Sequence, residues 1–325
     1  MASLLGLMRG ARIAVETCMA VKPGEEVLVV TDTGKLRIAE ALAYAAGSLG
    51  AEVSIITMLP RERSGLEPPR AVAKAMLGAD VVLMPTTRSL SHTEARRKAS
   101  EAGARIASMP GITEEMMSTG GMTADYEQVA ALTEAVANAL EGRREAHLIT
   151  PSGTDLKMSI EGRGVLRDTG LYHRPGDFGN LPAGEACLAP VEGTAEGVLV
   201  IDRMGSIVTR PLEVRVEAGR AVDFKGPDAD RLLELLRSAD ENAYNIAELG
   251  IGTNPKARLR GVVLEDEKVL GTVHVAFGDN RSFPGGRVAS SIHLDAILLK
   301  PTLYVDGEPL MRDGRLLISG RASGP

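Results

Sequence analysis

The chain has 325 residues, a net charge of −6, 44% hydrophobic and 25% charged residues. This length suits two domains, because a single core rarely grows past ~250–300 residues. The acidic balance argues against a general nucleic-acid binder, and the lack of Trp with only 3% aromatics argues against a base-stacking platform.

Cys18 and Cys187 lie far apart and belong to no C-x-x-C pair, so a reduced, cytoplasmic setting is expected. No run approaches the ~18 apolar residues that cross a bilayer, so no membrane partner is expected. Met1 to Arg12 lacks an apolar h-region followed by a cleavage site and runs into an amphipathic helix over Ile13 to Thr17, so no signal peptide is expected.

The first half alternates short apolar runs with helical patterns. Glu26 to Val30 reads as a strand, Ile38 to Leu49 as an Ala-rich helix and Val53 to Thr57 as a strand. Ala71 to Leu77 (helix), Val81 to Met84 (strand), Thr93 to Ala102 (helix), Arg105 to Ser108 (strand) and Ala124 to Leu140 (helix) follow. This rhythm predicts a doubly wound parallel sheet, an α/β Rossmann-like domain over residues 1–145, whose ligands sit outside the carboxyl ends of the strands. Those ends carry Thr31-Asp32-Thr33, Thr86-Thr87 and Met109-Pro110-Gly111. No G-x-G-x-x-G follows the first strand and no G-x-x-x-x-G-K-[ST] occurs, which argues against nucleotide binding by those two routes.

The pattern changes near Arg143-Arg144. Strands are expected over Asp155 to Ile160, Gly197 to Ile201, Ile207 to Thr209, Leu212 to Val216 and Arg260 to Val263, with a helix over Asp228 to Ser238. The boundary is placed within 141–150, and residues 146–325 form an α+β domain.

Within this half, Ser291-Ile292-His293-Leu294-Asp295 opens an apolar run. Alternation along a strand puts His293 and Asp295 on one face, and a buried carboxylate needs a partner. Three further segments place an acid or a histidine in small or apolar company: Pro182-Ala183-Gly184-Glu185, Ala247-Glu248-Leu249-Gly250 and Val273-His274-Val275. Each has a plainer reading. Glu185 alone could be a solvated residue after a turn, His274 a satisfied core histidine, and His293/Asp295 a buried hydrogen-bonded pair. Taken together, three carboxylates and two imidazoles have the number and hardness for two divalent ions sharing a bridging group. A structural zinc site would more often use Cys, and Cys187 has no partner at finger spacing.

The segments Leu181-Pro182-Ala183-Gly184-Glu185, Ala247-Glu248-Leu249-Gly250, His274-Val275-Ala276-Phe277-Gly278 and Ile292-His293-Leu294-Asp295 resemble, in order and approximate spacing, the metal-ligand segments of the thermophilic aminopeptidase T family of metallopeptidases. The resemblance implies an α/β amino-terminal domain and a carboxy-terminal domain holding two metal ions (Zn, Co or Mn). It implies ligands at Glu185, Glu248, His274, His293 and Asp295, release of amino-terminal residues from short peptides, and a homodimer. In that hydrolase, Glu248 or Glu185 would take the proton of a bridging water. The peptidases carry a Tyr seven residues after the first His; here Arg281 stands there. A second resemblance is carried by Thr86-Thr87-Arg88-Ser89-Leu90-Ser91-His92-Thr93-Glu94-Ala95-Arg96, which is similar to a segment of the 2,5-dihydroxypyridine dioxygenases of the same superfamily. It implies a small-molecule substrate, one Fe(II) held by two His and one Asp, and an acid/base role for His92. Read from the residues alone, His92 equally suits the neighbourhood of a helix start. Metal count separates the two: two Glu ligands favour a dinuclear hydrolase, the expectation adopted, whereas a single iron leaves Glu185 or Glu248 outside its coordination.

Overall fold

The computed structural model describes residues 2–318. The chain forms two compact units. The first comprises the residues up to Ala130, with Thr169–Ala183 and Pro255–Arg258; the second comprises Ala131–Asp168, Gly184–Asn254 and the residues from Leu259 onward. The first passage between units falls within the Tyr126–Leu140 helix, ahead of the expected 141–150 boundary, and the chain returns twice afterwards. Among the described residues, no helix is long and apolar enough to cross a membrane.

The first unit is built on the expected parallel sheet, in the order Glu52–Met58, Glu26–Asp32, Val81–Thr86, Arg105–Pro110. Every residue of Val81–Thr86 is buried, as in a strand covered on both faces, which explains its unbroken apolar run. Val72, Met76, Ala95 and Ala99 of the Arg70–Met76 and Glu94–Glu101 helices pack with Leu28, Val30, Val82, Met84 and Ile106. A fifth parallel strand, Phe178–Asn180, joins the edge beside Arg105–Pro110. Its composition, Phe-Gly-Asn after Pro-Gly-Asp, gives no strand signal; pairing to the sheet overrides weak propensity. At the carboxyl ends, Asp32 accepts from the Gly34 N–H (2.9 Å), the Thr87 N–H (2.5 Å) and the Thr87 hydroxyl (2.8 Å). Its carboxylate thus ties the ends of two strands together.

The second unit contains an eight-stranded sheet, antiparallel throughout, and a five-stranded antiparallel sheet that share one core. Leu148, Leu156, Leu199 and Val214 from the first face this core, as do Leu249, Ile251, Val273, Val275, Phe277 and Leu298 from the second. Two expected strands are absent. Ile207 to Thr209 makes only isolated bridges through Met204. Arg260 to Val263 turns into the short Val263–Asp266 helix, because the Asp266 carboxylate accepts from the N–H groups of Arg260 (2.7 Å) and Gly261 (2.9 Å).

In the first unit, Arg105 grips Glu25 through both terminal nitrogens, at 3.0 and 2.7 Å, with side chains 8% and 17% exposed. Burial works to raise the Glu25 pKa, but the hydrogen bonds and charge of Arg105, with the Lys22 N–H, together outweigh it and hold the carboxyl below its ordinary 4.5. A depressed carboxyl stabilises the fold above its unfolded-state pKa and loses that contribution as pH falls through the folded value. Glu25→Gln is therefore expected to lower stability by about 1–2 kcal/mol at pH 7. The gap from wild type should close towards pH 3 when denaturant midpoints are compared.

Candidate metal centre

The five-stranded sheet of the second unit runs His293–Leu298, Val273–Gly278, Ile246–Gly252, Glu185–Leu188, Leu166–Asp168. Strand alternation separates its two faces. Val273, Val275, Leu249, Ile251, Ala186, Leu188 and Ala296 go to the core. His274, Glu248, Gly250, Glu185, Cys187, His293 and Asp295 go to the opposite face. Register then assembles them: Gly250 pairs with His274 on one side and Cys187 on the other, Asp295 with Ala276, and His293 with Gly278.

The five expected ligands come together. Glu248 Oε1 is 3.1 Å from His274 Nε2, and Glu248 Oε2 is 2.8 Å from His293 Nε2. Asp295 Oδ1 is 3.3 Å from His293 Nε2, and Glu185 Oε2 is 3.3 Å from His274 Nε2. Glu248, His274 and Asp295 each offer a ligand atom within 4.8 Å of the others. All are buried except His293, whose side chain is 29% exposed. Glu185 is 8% exposed, so it is not the solvated residue that its turn alone would suggest. His92 belongs to the first unit, exposed on the turn before the Glu94–Glu101 helix.

Two features of the backbone make the cluster possible. A Cβ built on Gly250 would lie 2.0 Å from His274 Nε2, so only glycine lets the imidazole lie across the neighbouring strand. The His293 Nδ1–H donates to the Asp279 carbonyl at 2.7 Å, and Phe283 stacks on the ring at 5.8 Å. That hydrogen bond fixes the tautomer and leaves Nε2 directed at the acids. Arg281, in the place of the expected Tyr, is turned onto Asp279 at 2.7 Å with its side chain 59% exposed.

The electrostatics are those of a cation site. Burial opposes the charged form of both histidines, yet the neighbouring acids win. His274 is pushed up to about 9, led by its hydrogen bond to Glu248, and His293 well above its ordinary value, led by Asp295. Burial would raise Glu248, but its bonds to His274 and His293 carry it well below the carboxylate range. Burial also keeps the Cys187 thiol neutral by raising its pKa well above normal. Cys187 can be grouped with Glu185 and Glu248 by distance, but a protonated thiol is a poor ligand. Glu185 Oε2 and His274 Nδ1 are buried without a hydrogen bond. Two carboxylates and two imidazole Nε2 atoms converging in this way fit a first-row divalent ion.

Sequence reasoning missed the far side of the cluster. Lys268 is fully buried, with Nζ 2.6 Å from Glu185 Oε1, 2.6 Å from Glu267 Oε1 and 3.5 Å from Asp168 Oδ2. Burial pushes Glu267 up to about 8, opposed by the Lys268 charge. Lys268 ends a Leu-Glu-Asp-Glu-Lys run that reads as a solvated charged turn, and nothing in that run marks a buried lysine.

Gly250→Ala tests the geometry. The added methyl should displace the His274 ring, weaken divalent-metal affinity by at least about 10-fold and leave the circular dichroism of the sheet in place. Equilibrium dialysis with Mn(II) or Zn(II) reads the difference.

The chain matches the family model of NicX, 2,5-dihydroxypyridine 5,6-dioxygenase, over residues 8–318. The 2,5-dihydroxypyridine 5,6-dioxygenase of Pseudomonas putida is 24% identical over 265 residues, covering 75% of this chain and 73% of that protein. The solved structure of 2,5-dihydroxypyridine dioxygenase from Pseudomonas putida matches with a TM-score of 0.82 at 20% identity, over 98% of this chain and 99% of that one. AmpT from Thermus thermophilus matches with a TM-score of 0.69 at 21% identity, over 97% and 99%. Both structural likenesses establish the fold, and the expected superfamily is borne out. The expected activity is corrected: an aminopeptidase, a metallopeptidase hydrolase with two metal ions, does not agree with the family match. The structure supplies a physical reason, since Glu185 is held by Lys268 and the position of the peptidase Tyr holds an arginine paired to Asp279. The chain belongs to the NicX family, the 2,5-dihydroxypyridine 5,6-dioxygenases.

Proposed function

We propose that this protein is a ring-cleaving dioxygenase acting on 2,5-dihydroxypyridine or a closely related hydroxylated pyridine, with one Fe(II) held by His274, His293 and Asp295. The observation that carries the reading is the convergence of two imidazole Nε2 atoms and the Asp295 carboxylate around Glu248 on one sheet face, in a chain of this family. Two histidines and one carboxylate are the donor set of non-haem Fe(II) oxygenases, and the ion would supply the one-electron chemistry that lets O₂ react with an aromatic ring.

The remaining residues orient that donor set. The Asp279 carbonyl keeps the His293 proton on Nδ1, so Nε2 is the free ligand atom whenever the ring is neutral. Glu248 reaches both imidazoles with its two oxygens and fixes their separation. The pull of those imidazoles makes Glu248 a weak base, so the proton-accepting role expected of it, and of Glu185, belongs to the hydrolase reading and goes with it. A mostly buried sheet face keeps bulk water from the reacting atoms.

The test is anaerobic loading with Fe(II), followed by 2,5-dihydroxypyridine and air-saturated buffer. Dihydroxypyridine should disappear with one O₂ consumed per molecule, both oxygen atoms appearing in the opened product. Zinc should not support the reaction, and leucine p-nitroanilide should remain intact. Zinc-supported release of p-nitroaniline, or no O₂ uptake with Fe(II), would overturn the proposal. His293→Ala should abolish turnover and Fe(II) retention together. His92→Gln, measured in the same assay, should lower kcat at unchanged iron content if the acid/base role carries over from the resemblance.

A further inference from the structure

We propose that Lys268 is the second cation of this centre: its ammonium fills the place a second divalent ion would need and so fixes the metal count at one. The inference deepens the single-iron reading above and rests on it.

Lysine offers three N–H donors and no acceptor. The buried ammonium directs itself to three carboxylates, Glu185 at 2.6 Å, Glu267 at 2.6 Å and Asp168 at 3.5 Å. Backbone geometry holds it there. Asp168 and Glu185 are register partners on adjacent strands, and Glu185 pairs across to Gly252. A Cβ built on Gly252 would lie 2.2 Å from the Val269 carbonyl oxygen, so glycine lets the Lys268–Val269 backbone lie directly against the sheet.

Glu185 is the shared group. Its Oε1 contacts Lys268, and its Oε2 lies 3.3 Å from His274 Nε2. This is the bridging position that a carboxylate takes between two ions ~3.5–4 Å apart. A divalent ion on Oε1 would need a bond of ~2.0–2.2 Å to an oxygen that already has the ammonium at hydrogen-bonding distance. The two cations cannot share that place. The place beside Glu185 Oε1 is therefore taken by a cation of the chain itself, and only the Glu248, His274, His293 and Asp295 side is left for a metal.

The test counts ions with Mn(II) as the probe on the full chain, by equilibrium dialysis and electron paramagnetic resonance, with ring cleavage assayed separately with Fe(II). Wild type should take one tight equivalent with the six-line spectrum of an isolated ion. Lys268→Met should gain a second equivalent and the broadened spectrum of a spin-coupled pair, and Lys268→Arg should keep one. Two tight equivalents in wild type, or a folded Lys268→Met that still holds only one, would overturn the inference. Should Lys268→Met fail to fold, Lys268→Met/Glu267→Gln, which removes one charge of each sign, takes its place under the same two outcomes. One Mn(II) per chain without Fe(II)-dependent turnover would keep the role of Lys268 and sink the proposed reaction. Turnover with two ions bound would do the reverse, and a chain that binds no Mn(II) and shows no Fe(II)-dependent turnover would overturn both.

Discussion

The centre depends on one carboxylate. Glu248 is 4% exposed and holds an imidazole on each oxygen. Removing an ionised carboxylate from water costs several kcal/mol unless opposite charge replaces the lost hydration. Two imidazolium protons do this without a metal; a divalent ion between the same atoms does it with the imidazoles neutral. The protein's geometry is compatible with either because both demand the same placement of lone pairs. That is why raised histidine pKa values and a metal-ligand arrangement occur together here, and why a metal would displace protons on binding.

An antiparallel sheet suits this demand. The core residues and the ligands alternate along the same strands, so the hydrophobic packing of Val273, Val275, Leu249 and Ile251 fixes strand register. Register in turn fixes which ligand faces which. A slip of one residue would send His274 into the apolar core and Val275 into the acid cluster. The stability of the second unit and the geometry of its centre therefore have one cause. The bulge near Ala247, where the pairing shifts between Ile246 and Glu248, sets the offset that aligns Glu248 with Ala276 on the His274 strand.

Much of this was legible in the sequence. His293 and Asp295 announce themselves because two polar residues at period two inside an apolar run contradict the burial of their neighbours. Glu248 is exposed by the small and apolar residues around it, and the glycine two residues later turns out to be the space for the His274 ring. The parallel sheet was legible from alternating runs, apart from Phe178–Asn180, whose strand conformation comes from its partner. Lys268, Glu267 and Asp168 were not legible, for a definite reason. A run of charges carries no sign of which face it presents; only tertiary pairing decides whether a lysine reaches into solvent or into a carboxylate cluster.

The same limit explains why the clustered side chains could be picked from the sequence and their chemistry could not. Counting donors gives the capacity of a site for positive charge, not the identity of the charges that fill it. Three carboxylates and two imidazoles suffice for two ions if all five are available, but one of them, Glu185, lies against a buried ammonium. A fold matched at TM-scores of 0.82 and 0.69 by a dioxygenase and by AmpT does not select a reaction, because function resides in the site and not in the fold. Glu185, Glu248, His274, His293 and Asp295 are donors that more than one metal chemistry could use. In this chain the group in contact with them that can compete with a metal is a lysine from outside every segment that carried the resemblance.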